Sequence, residues 1–236
     1  MPPEGRGCDG AEYYTLFIYM ENEKNVSSLG EKERSGKDIR VLVADAEHEK
    51  YVDTIIETIR EAARKRGTGI AERTHEYVAK KMREGKAVLA LDGDTFVGFS
   101  YIETWGDKHY VTTSGLIVHP DYQGLGVAKR IKDYTFTLAR LRWPHAKIFS
   151  LTSGDAVMKM NTALGYVPVS FNQLTDDDAF WHGCQGCINH DILEAKNRKF
   201  CVCTGMLWDP EKHKGEPTSL EVIKDVMRTL VLRGIE

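Results

Sequence analysis

Between positions 123 and 128 the chain reads Gln-Gly-Leu-Gly-Val-Ala, after a stretch that alternates like a strand and before one that repeats like a helix. Glycines let a backbone turn tightly and approach a ligand closely. The first amides of the helix that follows have no intrahelical acceptor, and the helix dipole is positive at that end. A loop of this kind suits phosphate or pyrophosphate. Lys129 and Arg130 add positive charge nearby. The same Gly-x-Gly also serves as a plain tight turn. It is not the dinucleotide fingerprint, because Lys129 stands where a third glycine would be, and no Gly-Lys-Ser/Thr follows to make a P-loop.

Two other groups carry chemistry. Cys184-x2-Cys187 and Cys201-x-Cys203 hold four of the five cysteines, with Gly183 and Gly186 in the first pair. A Cys-x2-Cys knuckle is half of a structural zinc site, and His182 and His190 are spare ligands. Cys201 and Cys203 fall in an expected strand over 200–207, which puts both side chains on one face. The other readings are inert reduced thiols and a redox sensor. The second group is the basic stretch Arg64-Lys65-Arg66-Gly67-Thr68-Gly69-Ile70-Ala71-Glu72-Arg73-Thr74. Arg66 and Arg73 are suited to a carboxylate, which arginine pairs with bidentately. A solvated helix end with favourable dipole charge explains Arg64 to Arg66 equally well.

These residues need a scaffold. The chain has 236 residues, 42% hydrophobic and 28% charged, enough apolar content for a globular core. A net charge of −3 argues against a nucleic-acid coat or a polybasic membrane binder. The apolar run at 13–20 is too short to span a bilayer and lacks signal-peptide flanks, so the expected location is cytoplasmic. Residues 1–38 are polar and glycine-rich, read as a flexible extension, and Met20 is an alternative start of translation. From Ile39 the pattern becomes regular. Ile39, Val41 and Val43 alternate as a strand, Asp45 is placed to cap a helix, and Val52, Ile55, Ile56, Ile59 and Ala63 recur at helical spacing. Thr74 caps a second helix, and strands follow at 87–91, 96–104 and 110–118. After the glycine loop, Ile131, Tyr134, Leu138 and Leu141 mark one helix face. Next come a strand at 148–151, a helix at 156–164 and a strand at 166–171. A last helix begins with the capping box Thr218-Ser219-Leu220-Glu221 and carries Leu220, Ile223, Met227 and Leu230.

Ser114-Gly115-Leu116-Ile117-Val118-His119-Pro120, then Gln-x-x-Gly-x-Ala at 123–128, then Asn161-Thr162-Ala163-Leu164-Gly165-Tyr166, resembles the GNAT superfamily of acyl-CoA-dependent N-acyltransferases over about residues 39–171. The resemblance implies an α/β (α+β) fold with a mixed, mostly antiparallel central sheet flanked by helices. It places the acyltransferase domain at 39–208, with a Cys-containing segment at 172–208, and leaves a helical tail at 209–236.

It also implies roles. Leu116, Ile117 and Val118 would offer backbone groups to the pantetheine arm and thioester of acetyl-CoA or another acyl-CoA. The amides of Gln123, Gly124, Leu125, Gly126, Val127 and Ala128 would cradle the pyrophosphate. The reaction would be direct attack of an amine on the thioester. Asn161 stands where the family often has a tyrosine acid; it can donate a hydrogen bond to the thiolate but is not an acid near neutral pH. Glu103, on the strand before the motif strand, is a candidate base, with His109 a weaker one, and Tyr101 either donates or packs. The extended pattern, including Gly-Cys-x-x-Cys and Cys-x-Cys-Thr-Gly-Met-Leu, is similar to a bacterial subgroup associated with arginine biosynthesis, for which L-glutamate is the expected acceptor and acetyl or succinyl the acyl group. The alternatives are a protein lysine or N-terminal acetyltransferase and a non-catalytic CoA-binding regulatory module. The expected partners are a small-molecule amine and a second copy in a homodimer, with no nucleic acid and no membrane.

Overall fold

The computed structural model describes residues 38–66, 73–214 and 219–235. The N-terminal extension, the Met20 start and the side chain of Arg66 lie outside what it describes. The elements in order are β1 (Ile39–Val43), α1 (Val52–Arg66), α2 (His75–Arg83), β2 (Ala87–Asp92), β3 (Thr95–Trp105), β4 (Tyr110–Val118), α3 (Val127–Arg142), β5 (Lys147–Thr152), α4 (Asp155–Ala163), β6 (Val167–Val169), α5 (Asp178–His182), α6 (His190–Ala195), β7 (Thr204–Trp208) and α7 (Leu220–Arg233). Local signals explain the starts. The Asp45 carboxylate accepts from the Glu47 amide at 3.0 Å and opens a 3-10 turn that leads into α1. The Thr74 hydroxyl accepts from the Tyr77 amide at 3.2 Å and caps α2.

The seven strands form one sheet in the order β1-β2-β3-β4-β5-β7-β6. All neighbours are antiparallel except β4 and β5. Along β2 the side chains alternate between two cores. Val88 and Ala90 pack with Ile131, Ile148, Trp208, Val226 and Leu230, beneath α3 and α7. Ala87, Leu89 and Leu91 pack with Ile55, Ile59, Val78, Met82 and Phe99, beneath α1 and α2. A third cluster, Phe149, Phe171, Leu174, Trp181, Leu193 and Leu207, secures the Cys-containing segment to the far end of the sheet.

Two expectations change. The strand expected at 200–207 begins only at Thr204, because β5 offers it no partner before the Thr152–Thr204 pair. Cys201 and Cys203 therefore precede the strand and do not share a strand face. The last helix buries Val226 and Leu230, whereas Leu220 is exposed and Ser219 makes no side-chain cap. That helix is tied to the sheet by Arg233, which donates to the Val43 carbonyl at 3.1 Å and pairs with Asp45 at 2.6 Å.

Candidate active site

The sheet opens between β4 and β5. These strands pair over only three positions, Tyr110–Lys147, Val111–Ile148 and Thr112–Phe149. Beyond them β4 follows β3 while β5 follows β7. Past Thr112, the β4 main chain on the β5 side has no strand partner, so its amides and carbonyls can serve a ligand. The register of β4 against β3 also shifts between the Tyr101–Ser114 and Phe99–Ile117 pairs. Gly115 fills this bulge at φ +68°, a conformation that favours glycine.

A cavity of about 590 Å³ occupies the opening. Leu116, Ile117, Thr152, Gly154 and Val157 line it, as do Arg73, Tyr77, Tyr101 and Trp105. The segment from Ala179 to Cys187 supplies a further wall. That wall is fixed to the β3–β4 turn, where the Gly106 amide donates to Asp177 at 3.0 Å, and by the Trp105–Phe180 edge contact, 5.5 Å between centroids.

Within this lining, Arg73 Nε donates to the Tyr101 hydroxyl at 2.7 Å. Its guanidinium carbon sits 5.8 Å from the ring centroids of both Tyr77 and Tyr101. Burial, reinforced by Tyr101, pushes the Tyr77 phenol above its ordinary range, so it stays neutral. Glu103 lies elsewhere. It pairs with Lys81 and with Lys86, the latter at 2.9 Å, and is not part of the cavity wall. Its carboxylate oxygens are taken up by these lysines and, at 3.0 Å, by the Thr104 amide. Tyr101, by contrast, lines the cavity while being 2% exposed.

The loop at 123–128 stands outside this cavity, at the surface. Gly124 and Gly126 have φ of +80° and +76°. Gly126 is the N-cap of α3 and offers no side-chain cap, so the first helical amides are left for an external acceptor. The Gln123 side chain donates to the Val118 carbonyl at 3.2 Å. Val118 itself is not in the cavity wall. Arg130 donates to the Ile39 carbonyl at 2.8 Å rather than facing the loop.

Asn161 is fully buried behind the cavity. Its amide donates to Ser150 Oγ at 3.3 Å, and Ser150 is the residue that reaches the wall. Cys184, Cys187 and Cys203 line the cavity. Burial and the neighbouring thiols push Cys184 up to about 11 and Cys203 up to about 12. Among the described residues no group of three His, Cys, Asp or Glu side chains is arranged to hold a metal ion.

Tyr77, Trp105, His182 and Lys132 also line the cavity, and sequence reasoning had not placed them there. For Lys132 a signal existed: a lysine one position from Ile131 on a helix whose next residues on that side are Thr135, Phe136 and Ala139.

An open β4–β5 wedge beside an uncapped glycine loop offers unpaired main-chain groups to a ligand at two places. Residues 56–166, just under half of the chain, match the Acetyltransferase (GNAT) family. Solved structures share the fold. One is an N-acetylglutamate synthase from Neisseria gonorrhoeae, complexed with coenzyme A and N-acetyl-glutamate: TM-score 0.54, 16% identity, covering 75% of this chain and 36% of that one. The chain thus spans about a third of the length of that synthase. A Mycobacterium tuberculosis protein solved in complex with CoA has TM-score 0.52 and 16% identity, covering 72% of this chain and 98% of that one. A Salmonella typhimurium protein with its cofactor acetyl-CoA has TM-score 0.51 and 14% identity, covering 76% and 98%. No curated protein matches the chain. No helix among the described residues is long and apolar enough to cross a membrane.

Proposed function

We propose that the protein transfers an acetyl group from acetyl-CoA to the amino group of a small, carboxylate-bearing acceptor of the L-glutamate type. The observation that carries this reading is Arg73, a guanidinium in the wall of the cavity that opens onto the β4–β5 wedge. A fixed guanidinium suits a carboxylate. Residues 179–187 wall the same cavity as Arg73, which favours a small molecule over a protein chain. The Neisseria synthase, whose structure holds N-acetyl-glutamate, points the same way.

In this reading the pyrophosphate rests on the loop amides of residues 124–128 and the arm lies between β4 and β5. The β4 amides past the bulge stabilise the oxyanion formed when the amine attacks the thioester. The acceptor's ammonium must lose a proton before it can attack. With Glu103 held by two lysines, water in the cavity takes that proton.

The test is product mass spectrometry after incubation with L-glutamate and an equimolar mixture of acetyl-CoA and succinyl-CoA. N-acetylglutamate above a heat-killed control is the expected result. Acylation of peptides but not of glutamate would move the assignment to a protein acetyltransferase. Bound CoA without turnover on any amine would leave a CoA-binding module.

A further inference from the structure

Lys132 projects from α3 into the tip of the β4–β5 wedge. It is 3% exposed, yet it lines the cavity. Its Nζ donates to Thr113 Oγ1 at 2.6 Å and lies 5.0 Å from the centroid of the Tyr166 ring. Thr113 is the first residue of β4 past the last pair with β5, and Ser150 is its counterpart on β5. Ser150 in turn is held by Asn161. The buried Asn161 Oδ1 has no hydrogen-bond partner among the described residues. Among the described residues Lys132 has no carboxylate in an ion pair. A buried cation with no carboxylate in direct contact is costly and needs a reason. Packing alone would be served by an apolar side chain.

We propose that Lys132, held by Thr113, delivers the proton that the departing CoA sulfur requires. This inference rests on the transferase reading given above. The acceptor nitrogen forms its bond to the acyl carbon and leaves a tetrahedral intermediate with an oxyanion. As the carbonyl re-forms, the carbon–sulfur bond breaks and its electron pair stays on sulfur. Lys132 gives a proton to that sulfur and becomes a neutral amine. The new amide nitrogen releases one proton to the cavity water, and Lys132 recovers one from the same water. The products are the amide and CoA thiol.

The acidity is matched to the task. Burial pushes the Lys132 ammonium down to about 7, below an ordinary thiol at about 8.5, so transfer to sulfur is downhill. The titratable groups that bear on Lys132 are Asp133 on its own helix and the Tyr166 phenol before β6. Thr113, Ser150 and Asn161, which the surrounding elements present, do not titrate in this range.

Two measurements on the full chain test the proposal. The first is the pH dependence of kcat in wild type, K132M and K132R, with glutamate and acetyl-CoA saturating. Wild type should lose kcat as pH rises past about 7. Both variants should lose that limb and about 100-fold in kcat, with the acceptor KM within threefold. K132R keeps a charge but cannot give up its proton. Variants that keep the wild-type rate and limb overturn the donor role. The second uses lysine labelled with 13C at Cε, the Lys132 signal being assigned by its loss in K132M. CoA thiol should move its titration midpoint, whereas desulfo-CoA should not. Equal responses to both would place Lys132 away from the sulfur and overturn the proposal without recourse to turnover. Wild type with no turnover on any amine would overturn the transferase reading and the donor role together.

Discussion

Gly115 and the ring of Tyr101 touch so closely that a Cβ on Gly115 would lie 2.6 Å from Tyr101 Cε1. The glycine also holds φ at +68°, so two constraints meet at one position. Gly115→Ala should cost about 2 kcal/mol or more in stability, from backbone strain and overpacking. Urea denaturation gives the number. The same variant should bind acyl-CoA more weakly, because the bulge sets where the β4 amides point.

Gly126 differs, because no atom lies within 4 Å of a Cβ there. Aspartate tolerates its left-handed backbone and caps helices well. Gly126→Asp should therefore keep the melting temperature within a few degrees. Its charge would oppose a pyrophosphate on the loop and raise the KM for acyl-CoA at least tenfold. An unchanged KM would remove the loop from the CoA site.

Arg73 is the proposed carboxylate anchor. A hydrogen bond to a charged group contributes about 1.5–3 kcal/mol, so Arg73→Gln should raise the acceptor KM by about 10- to 100-fold. The Kd for CoA, measured by calorimetry, should stay within twofold. Loss of CoA binding alongside would mean that the residue holds the cavity together instead.

Lys132 also predicts a pH dependence of stability. Its folded pKa, about 7, lies below the ordinary 10.5. Between those values the unfolded chain binds more protons, so this residue makes stability rise with pH from about 7 to about 10.5. The penalty is fully present below about 7. Lys132→Met should thus be more stable than wild type at pH 6, by on the order of a few kcal/mol. The advantage should fade by pH 10. Chemical denaturation at both pH values checks this.

Cys184 and Cys203, raised to about 11 and about 12 by burial and by neighbouring thiols, carry almost no thiolate at pH 7.5. Iodoacetamide labelling of both should be at least tenfold slower than labelling of a free cysteine. It should speed up about tenfold per pH unit. Mass spectrometry of the peptides reads each site. Fast labelling at pH 7.5 would refute the buried, neutral state.

Local signals in the sequence located the elements well. The Thr74 cap, the left-handed glycines of the loop and the alternation in β1 and β2 depend on neighbours a few residues away. Features set by distant partners were out of reach. Glu103 does share a strand with Tyr101, but its carboxylate is claimed by Lys81 and Lys86, which no pattern within β3 reveals. The start of β7 depends on where β5 ends, and that decided the geometry of Cys201 and Cys203. Lys132 was hidden because Ile131, Tyr134, Leu138 and Leu141 orient α3 by their apolar character. The helix in fact turns Lys132, Thr135 and Ala139 inward as well.

The short seam between β4 and β5 has a mechanical consequence. Three residue pairs join the leaf β1–β4 to the leaf β5–β7, and beyond them whatever fills the wedge must bridge the gap. A substrate lying there acts as a removable rib. Amides on both sides of the wedge should exchange with deuterium more slowly when it is filled, so the protein's stiffness would track the supply of its own acyl donor.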